Sequence, residues 1–398
     1  MIVLALNAGS SSLKFGVFKA ATKRKVEPLM RGLFDGLADT PHFSAQDAAG
    51  RLLAETPLRL PGQSTGALLQ QLLNFLDTRL GSEQIVAVGH RIVHGGSRFI
   101  SPVHLTNEVV EALEELTPIA PLHQPASLGP VKALSELRPG LVQIGCFDTA
   151  FHSTLAPPVS RYAIPREYEE MGLKRYGFHG LSYEFIAHQL GRISPDLPAK
   201  KTVVAHLGSG CSLCAMVDGK SQDTTMGFTA LDGVMMATRS GAVDPGIILY
   251  LQKACGLSID EVENLLYRRS GLLGVSGISA DMRVLLASSD PQAAAAIDLF
   301  VFSVSRAIAA LASTLGGIEL LVFTGGIGEH AAEVRNAICR RLDWLGVKLD
   351  LSKSHDVLSD TESKVEVRVI ATNEEMAIAR QVHLALENAA GRSEAASA

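Results

Sequence analysis

The sequence predicts a mixed α/β protein built from two similar halves, and three observations support this fold class. The chain has 398 residues, more than one hydrophobic core usually serves, so we expect two or three domains. Short apolar runs rich in β-branched residues alternate with longer segments of helical periodicity, which is typical of layered α/β domains. A strand, a loop of small residues and a second strand near the N-terminus are followed by a similar set about 200 residues later, which indicates an internal duplication.

Each predicted strand is a run of mainly apolar residues that ends at glycine or a polar residue. In chain order these runs are residues 2–6, 13–18, 85–89, 141–147, 202–206, 212–217, 320–324 and 365–371. The predicted helices are longer segments with apolar residues three and four apart, at 65–80, 107–116, 182–190, 260–267, 291–315, 331–342 and 375–387. Residues 389–398 are small and polar, and we expect them to be disordered.

Composition and charge narrow the classes of function. Hydrophobic residues make up 47% of the chain and charged residues 19%, as expected for a folded protein with a large interior rather than for a disordered chain. The net charge is -5 and no basic block is present, which argues against a nucleic-acid or anionic-membrane partner. A small-molecule substrate is therefore expected.

The N-terminal residues, the lack of a long apolar stretch and the cysteines lead us to expect a cytoplasmic protein. Residues 1–6 have no basic flank, and no stretch approaches the roughly 18 apolar residues that a membrane span needs. The five cysteines do not form a disulfide framework. Cys211 and Cys214 make one Cys-x-x-Cys in a predicted strand, where residues three apart point to opposite faces, and a zinc clip would need a second pair.

Two glycine- and serine-rich loops, one in each half, are candidate phosphate sites. The first is Asn7–Ser12 and the second is His206–Ser212, and with one inserted residue Gly9 aligns with Gly208. Backbone N–H groups in such loops approach anions closely, and Lys14 adds a positive charge. A tight hairpin turn explains either loop equally well, and two glycine-serine turns also resemble each other by chance.

A third glycine loop, Gly325–Glu329, follows the predicted strand 320–324 and precedes the helix predicted from Ala331. Strand, glycine loop and helix N-terminus together form a common nucleotide site. No Walker-type loop ending in Gly-Lys-Ser/Thr is present. The pattern Gly326-x-Gly328-x-x-Ala331 also fits the dinucleotide motif loosely, with Asp350 following, which keeps a nicotinamide or flavin enzyme as a weaker alternative.

Charged and imidazole side chains collect where the predicted strands end, which is where open α/β sheets bind ligands. Any one of these groups could form an ordinary salt bridge or helix cap. Together they indicate a ligand site. The six clusters are 90–96, 148–152, 176–180, 223–227, 238–241 and 373–375.

The polar clusters and glycine loops, taken in order, resemble those of the acetokinase family, whose members include acetate, propionate and butyrate kinases. The matching blocks span nearly the whole chain, at 7–14, 91–96, 147–152, 176–180, 206–210, 223–241, 325–329 and 373–375. The resemblance implies duplicated ribonuclease-H-like domains, as in actin-like ATPases, with a nucleotide cleft between them. It places the first domain at 1–150, joined by a C-terminal helix at about 375–388, and the second at 151–374.

The resemblance also implies a reaction. This is a reversible, magnesium-dependent transfer of a phosphoryl group between ATP and acetate, giving acetyl phosphate and ADP by direct in-line transfer. Mn²⁺ is expected to substitute for Mg²⁺, and a homodimer is the expected assembly. Propionate, or a broader set of short-chain carboxylates, is the alternative acceptor.

The family's functional residues map onto matching positions of this chain. The catalytic residues would be Arg91, Asp148, His179 and Arg239, and the acyl group would contact Arg91, Val93, Leu122, Phe178 and Ala230. Metal ligation would fall to Asn7 and Glu374. ATP would be bound by Ser10, Ser12, Lys14, His206, Leu207, Gly208, Ser209, Gly210, Asp281, Met282, Arg283, Gly325, Gly326, Ile327, Gly328 and Glu329.

Two of the residues that depart from the family pattern have an expected physical consequence. Ser209 stands where most members carry Asn, so one hydrogen bond to phosphate is expected to be shorter or to pass through water. Ala230 replaces the usual proline, which is expected to enlarge the acyl pocket and to admit propionate.

The role of Asp148 and the class of protein each have two interpretations. The family's usual assignment for Asp148 is an acid or base, but a carboxylic acid substrate is already ionised at pH 7 and has no proton to remove. We therefore hypothesise that Asp148 orients Arg91 or a metal-bound water.

The alternative class of protein is a non-catalytic or chaperone-like ATPase of the same superfamily. Arg91, His179 and Arg239 argue against it, because a nucleotide switch needs no second group of cationic residues to bind an anion.

Overall fold

The computed structural model describes residues 1–9, 12–20, 25–36, 42–58, 64–353 and 356–397, and these divide into two compact units. The first unit comprises residues 1–151 and 180–185 together with the C-terminal segment from Asn373. The second comprises His152–His179 and Ile186–Thr372. The short segment Gly180–Phe185, which the sequence did not predict as part of the first unit, belongs to it.

The described strands and helices are numbered in chain order. The strands are β1 (Ile2–Ala8), β2 (Leu13–Ala20), β3 (Val26–Asp35), β4 (His42–Asp47), β5 (Leu52–Pro57), β6 (Ile85–Ile92), β7 (Val103–His104), β8 (Val142–Phe147), β9 (Thr202–Leu207), β10 (Cys211–Val217), β11 (Lys220–Thr224), β12 (Leu320–Thr324) and β13 (Glu366–Val369). The helices are α1 (Thr65–Leu80), α2 (Asn107–Glu114), α3 (Gln124–Leu137), α4 (Arg166–Glu170), α5 (Gly180–Ile193), α6 (Pro245–Lys253), α7 (Ile259–Arg268), α8 (Gly271–Ser276), α9 (Met282–Leu286), α10 (Pro291–Leu315), α11 (Gly325–His330), α12 (Ala332–Arg340) and α13 (Glu374–Ser397).

The two sheets share one strand arrangement. The first has the order β5-β4-β3-β2-β1-β6-β8-β7, and the second has the order β11-β10-β9-β12-β13. In both, the first strand of the unit pairs antiparallel with the next one and parallel with a later one, and each partner pairs onward in the same sense. The five strands β3-β2-β1-β6-β8 therefore have the same topology as β11-β10-β9-β12-β13. The predicted α/β class and the duplication are confirmed.

Helices cover both faces of the first sheet. On one face α1 buries a row of leucines, including Leu69, Leu72 and Leu76, against apolar residues of β1 and β2. On the other face α13 packs against β1, β2 and β6. The approach is close at Gly89 of β6, where a Cβ atom would lie 2.4 Å from Cγ2 of Ile378 and 2.5 Å from Cγ2 of Val382. Glycine at this position therefore allows α13 to approach the sheet.

Several elements differ from the sequence prediction. The strands β3, β4 and β5 carry many polar residues and were not predicted, and neither was α3, which contains an internal Pro130. Contacts of α3 with β6 and α1 stabilise this helix in spite of its internal proline. The expected disorder of 389–398 is also wrong as far as Ser397, because α13 continues to that residue through an alanine-rich segment that favours helix.

Among the described residues, one helix is long and apolar enough to cross a membrane, contrary to the expectation that no stretch would approach this limit. This is α10, which has 25 residues and contains an 18-residue stretch with a mean hydropathy of 1.8. Its buried residues recur three and four apart, among them Phe300, Val304 and Ile308, and it packs against α8, α12 and β10. This pattern is that of a core helix with one face turned towards the sheet.

The packing of α13 on β6 leads to a stability prediction. Replacing Gly89 with alanine should lower the free energy of unfolding by about 1–3 kcal/mol, because the new methyl group overlaps Ile378 and Val382. Urea denaturation followed by circular dichroism measures the change. Adding Val382→Ala should recover part of the loss, and a purely additive double variant would contradict the proposed contact. Gly191→Ala in α5, where the nearest atom to a Cβ is Cγ of Pro198 at 3.6 Å, is the control and should not destabilise.

Candidate active site

Three polar side chains of the first unit meet at one edge of its sheet. Strands β1, β6 and β8 are parallel neighbours, so their carboxyl ends lie at the same edge. Asn7 lies near the end of β1, Arg91 near the end of β6, and Asp148 directly after β8. Arg91 donates from Nε and Nη2 to Oδ2 of Asp148, at 2.9 and 2.6 Å, and from Nη1 to Oδ1 of Asn7 at 3.2 Å. The three strand ends are therefore joined through one guanidinium.

The start of α13 adds two carboxylates to this cluster. Asn373 caps the helix, since its Oδ1 accepts from the N–H of Met376 at 2.8 Å, and this leaves Glu374 and Glu375 in the first turn. Nδ2 of Asn7 donates to Oε2 of Glu374 at 2.8 Å and to Oε1 of Glu375 at 3.0 Å. Lys14 is exposed and lies opposite Asn7 in the β1–β2 pairing.

Charge and burial explain why this cluster holds together. The side chain of Asp148 is 1% exposed and that of Arg91 is 17% exposed. Burial by itself would lower the pKa of Arg91, but the carboxylates of Asp148 and Glu374 outweigh it and hold that pKa above its ordinary value. Arg91 is therefore a permanent, oriented positive charge.

The donor set around Asn7 is compatible with a hard divalent cation. The carboxylates of Glu374 and Glu375 offer oxygen ligands of the kind that Mg²⁺ and Mn²⁺ prefer, and Asn7 would add its Oδ1 once this atom turned away from Arg91, to which it is bonded here. Across the described ranges, no group of three or more His, Cys, Asp or Glu residues forms a self-sufficient metal site. A cation here would need further oxygens from water or substrate.

In the second unit, two imidazoles stack beside the β9–β10 loop. The rings of His179 and His206 have centroids 4.4 Å apart and planes 21° apart. Nδ1 of His179 forms a hydrogen bond of 2.8 Å with Oγ of Ser212. A Cβ atom on Gly210 would lie 3.3 Å from Nε2 of His179 and 4.0 Å from Nη1 of Arg239, so the loop passes close to both groups.

The loop and Arg239 are held mainly by backbone groups. The N–H of Gly208 donates to the carbonyl of Gly210 at 3.1 Å, which closes the turn, and the carbonyl of Ser209 accepts from the N–H of Ala237 at 3.1 Å. Nη1 of Arg239 donates to the carbonyl of Ala230 at 3.0 Å. Leu207 is fully buried, so only its backbone is available to a ligand.

His179 lies in a left-handed turn that a buried histidine supports. Its φ is 58°, and Gly177 has a φ of 72°. His152 forms hydrogen bonds with the carbonyl of Phe178 at 3.0 Å and with Oγ of Ser221 at 2.8 Å. Because the carbonyl only accepts, Nε2 of His152 carries the proton, and burial lowers the pKa of His152 to about 4, so the ring is neutral at pH 7.

The predicted glycine loop Gly325–Glu329 is instead the helix α11, which is a correction to the sequence analysis. Gly325 leaves β12 with a φ of 77°, and its N–H donates to Oε1 of Glu329 at 2.9 Å, which closes the first turn. Nη1 of Arg335 donates to the carbonyls of Gly328 and Glu329, both at 2.9 Å. These bonds from the side chains of Glu329 and Arg335 stabilise a glycine-rich helix that intrinsic propensity disfavours.

The remaining predicted ATP-binding residues have mixed surroundings. Asp281 caps α9 through the N–H of Arg283 at 2.8 Å, and the Arg283 side chain is 90% exposed. The side chain of Met282 is buried, so it offers a ligand only its backbone. The carbonyl of Ser12 accepts from the N–H of Gly9 at 2.8 Å. Ser10 lies outside the described residues.

The residues expected around the acyl group are divided between the units. Val93 and Leu122 belong to the first unit, whereas Phe178 and Ala230 belong to the second. Three further residues were not predicted and support the clusters. They are Glu375, which accepts from Asn7; Ser212, which bonds His179; and Arg175, whose Nη1 donates to the carbonyls of residues 224–226. Glu375 and Ser212 lie within recognised motifs, but their partners are set by tertiary structure.

Comparisons with known proteins identify the family of this chain. A family model described as the acetokinase family matches residues 2–380. The acetate kinase of Rhodopseudomonas palustris (strain TIE-1) is 47% identical over 388 residues, which cover 96% of this chain and 97% of the relative. A solved propionate kinase from Francisella tularensis subsp. tularensis SCHU S4 has a TM-score of 0.88 and 36% identity, with 96% of this chain and 98% of that chain covered. The solved acetate kinase of Porphyromonas gingivalis has a TM-score of 0.82 and 36% identity, with 95% and 98% covered. The chain is therefore a kinase and belongs to the acetokinase family.

Proposed function

We propose that this kinase transfers a phosphoryl group reversibly between ATP and acetate, giving acetyl phosphate and ADP. The observation that supports this most strongly is the arrangement around Arg91. An oriented guanidinium lies beside an oxygen donor set suited to a divalent cation, at the carboxyl ends of parallel strands. Cationic charge and a metal are what the three equatorial oxygens of a phosphoryl group in transfer require.

The residues of the chain act by binding and orienting. In this proposal Arg91 and Arg239 bind the acyl carboxylate and the phosphoryl oxygens, and His179 donates a hydrogen bond to the same oxygens. A carboxylate oxygen attacks the γ-phosphorus while the bond to ADP breaks, so no side chain becomes covalently modified. Asn7 and Glu374 are the residues that would hold Mg²⁺ or Mn²⁺, which would supply positive charge to the phosphate oxygens.

ATP binding is assigned to three stretches, two serines and one lysine. The segments His206–Gly210 and Gly325–Glu329 contact the phosphates together with Ser10, Ser12 and Lys14. The segment Asp281–Arg283 lies at the adenosine end. The support is the tight turn of the β9–β10 loop and the left-handed start of α11, both of which bring backbone N–H groups to the ends of strands.

Asp148 is proposed to orient Arg91 rather than to move a proton. Two donors of Arg91, Nε and Nη2, bond to the same oxygen of Asp148, so the carboxylate acts as an anchor for the guanidinium. Acetate is ionised at neutral pH, so its attacking oxygen needs no base.

The remaining expectations concern assembly and location. We propose a cytoplasmic homodimer. The exposed apolar side chains of α6 and α7, which include Leu249, Tyr250 and Ile259, support a protein contact on that face of the second unit. Sedimentation velocity measures the oligomeric state directly.

The first functional prediction concerns the two arginines. The wild type should form ATP rapidly from ADP and acetyl phosphate with magnesium, and Arg91→Ala and Arg239→Ala should each lower kcat by roughly 10³-fold or more, because a transition-state charge is lost. The surface variant Arg138→Ala, which breaks an exposed pair with Asp77, should leave the rate unchanged. A wild type that binds nucleotide but makes no ATP from acetyl or propionyl phosphate would favour the nucleotide-switch alternative.

The second prediction separates anchoring from proton transfer at Asp148. Asp148→Asn should keep kcat within about tenfold of the wild type at saturating magnesium, since an amide oxygen still accepts both Arg91 donors and only the charge assistance is lost. Asp148→Ala should lower kcat by roughly 10³-fold, because it leaves the buried guanidinium without its anchor. If Asp148→Asn loses several orders of magnitude with an unchanged magnesium dependence, the anchoring role is wrong.

The third prediction concerns propionate as a second substrate, which the similarity to a propionate kinase structure and the presence of Ala230 both favour. The wild type should phosphorylate propionate measurably beside acetate. Ala230→Pro should lower kcat/KM for propionate relative to acetate by about tenfold, the usual value of one methylene in an apolar pocket. Proline keeps the carbonyl that Arg239 uses, so the arginine stays anchored. Near-zero turnover of propionate, with an unchanged ratio in Ala230→Pro, would contradict this prediction.

A further inference from the structure

The loop after β6 is held by the side-chain amide of one buried residue, Gln124. The N–H of His94 donates to Oε1 of Gln124 at 3.2 Å, and Nε2 of Gln124 donates to the carbonyl of His94 at 3.1 Å. Both backbone groups of His94 are thus bonded to the same carboxamide. A neighbouring strand usually makes this pair of bonds, so here a side chain takes the place of a strand.

Gln124 is itself fixed at two further points. Its Nε2 makes a second bond, at 3.0 Å, to the carbonyl of Leu113 near the end of α2. Its backbone N–H donates to the carbonyl of Ala120 at 2.9 Å, in the turn that begins α3. The residue is fully buried, so water does not replace these bonds. The amide is therefore rigid, and it transmits the position of α2 and α3 to the loop.

The other N–H groups of the loop are also bonded. The N–H of Gly95 donates to Oγ1 of Thr149 at 3.1 Å, and the N–H of Gly96 donates to Nδ1 of His94 at 2.8 Å. A Cβ atom at Gly95 would lie 2.2 Å from the carbonyl oxygen of Phe99, so the loop is folded tightly on itself. The position of the loop is therefore set by its hydrogen bonds to Gln124 and Thr149.

The residues that Gln124 joins flank the two acyl-contacting side chains assigned to the first unit. Val93 directly precedes His94, and Leu122 lies two residues before Gln124 in the same turn. Val93 is 3% exposed and Leu122 is partly buried. The Gln124 amide thus links the two chain segments that carry Val93 and Leu122.

We infer that Gln124 is a positioning residue for acyl-chain specificity, because its amide sets the separation of Val93 and Leu122. This inference rests on the proposed carboxylate kinase activity. Gln124 touches no reacting atom. It acts by keeping two apolar side chains at the spacing that accepts a methyl group and disfavours a longer chain.

The test compares two isosteric substitutions of buried glutamines in the first unit. Gln124→Met removes all three side-chain bonds and keeps the volume. Gln143→Met is the matched control, since Gln143 is 4% exposed and its Nε2 donates to the carbonyl of Val131 at 3.2 Å and to Oγ of Ser135 at 2.9 Å, both in α3. Both variants should lose stability, and only the first should change substrate choice.

One methylene in a fitted pocket is worth about 10–200-fold in discrimination. Gln124→Met should therefore raise KM for acetate about tenfold and raise the propionate-to-acetate ratio of kcat/KM at least about threefold. KM for MgATP should stay within about twofold. Gln124→Asn, whose amide is one methylene too short to keep all three bonds, should shift the same ratio in the same direction, and it serves if the methionine variant does not fold.

The possible outcomes are distinguishable. A folded Gln124 variant with the wild-type ratio, or an equal shift in Gln143→Met, would overturn the inference while leaving the kinase assignment intact. A wild type without activity on either acyl phosphate would overturn the proposed function instead. A changed KM for MgATP with an unchanged acyl ratio would show that Gln124 supports the unit in general, and would also overturn the inference.

Discussion

The first unit depends on a guanidinium held at the carboxyl ends of three parallel strands. A buried positive charge is tolerated only when anions and acceptors surround it. Asp148 supplies the anion, Asn7 supplies an amide oxygen, and Glu374 adds a second negative charge nearby. Each of these groups comes from a different element, so the requirement to neutralise Arg91 joins β1, β6, β8 and α13 at one point.

The second unit uses the same strand frame for different chemistry. Its five-strand arrangement repeats that of the first sheet, yet its strand ends carry imidazoles and glycines where the first carries a guanidinium and carboxylates. The backbone topology thus provides two equivalent edges, and the side chains place a guanidinium with carboxylates at one edge and imidazoles with glycines at the other. A duplicated fold could diverge in this way without changing its strand order.

The elements that the sequence predicted well are those in which local pattern and tertiary structure agree. The central strands β1, β9 and β12 are continuous apolar runs, and α1 has the spacing of an amphipathic helix, so periodicity alone predicts them. The edge strand β5 has mostly exposed and polar residues, and α3 contains Pro130, so both depend on contacts that no local window contains.

The same distinction applies to the candidate site. Arg91 and Asp148 were recognisable because they stand in motifs at strand ends, and His179 because it stands in the motif 176–180, directly before α5. The support of His179 by Ser212 and the bond of Asn7 to Glu375 arise only once distant segments meet. The helical form of 325–330 depends on bonds from the side chains of Glu329 and Arg335, which the glycine pattern does not reveal.

The position of α13 has a consequence for the order in which the protein is made. Asn7 and Glu374 are separated by 367 residues, yet they are hydrogen-bonded, and Ile378 and Val382 cover the face of the sheet at Gly89. A ribosome finishes the strands of the first sheet long before it synthesises the helix that covers one of their faces. The nascent first unit therefore waits with an uncovered apolar face and an incomplete carboxylate cluster while the second unit is translated. A chain that terminates before α13 therefore lacks both the cover of this face and the carboxylate that bonds Asn7.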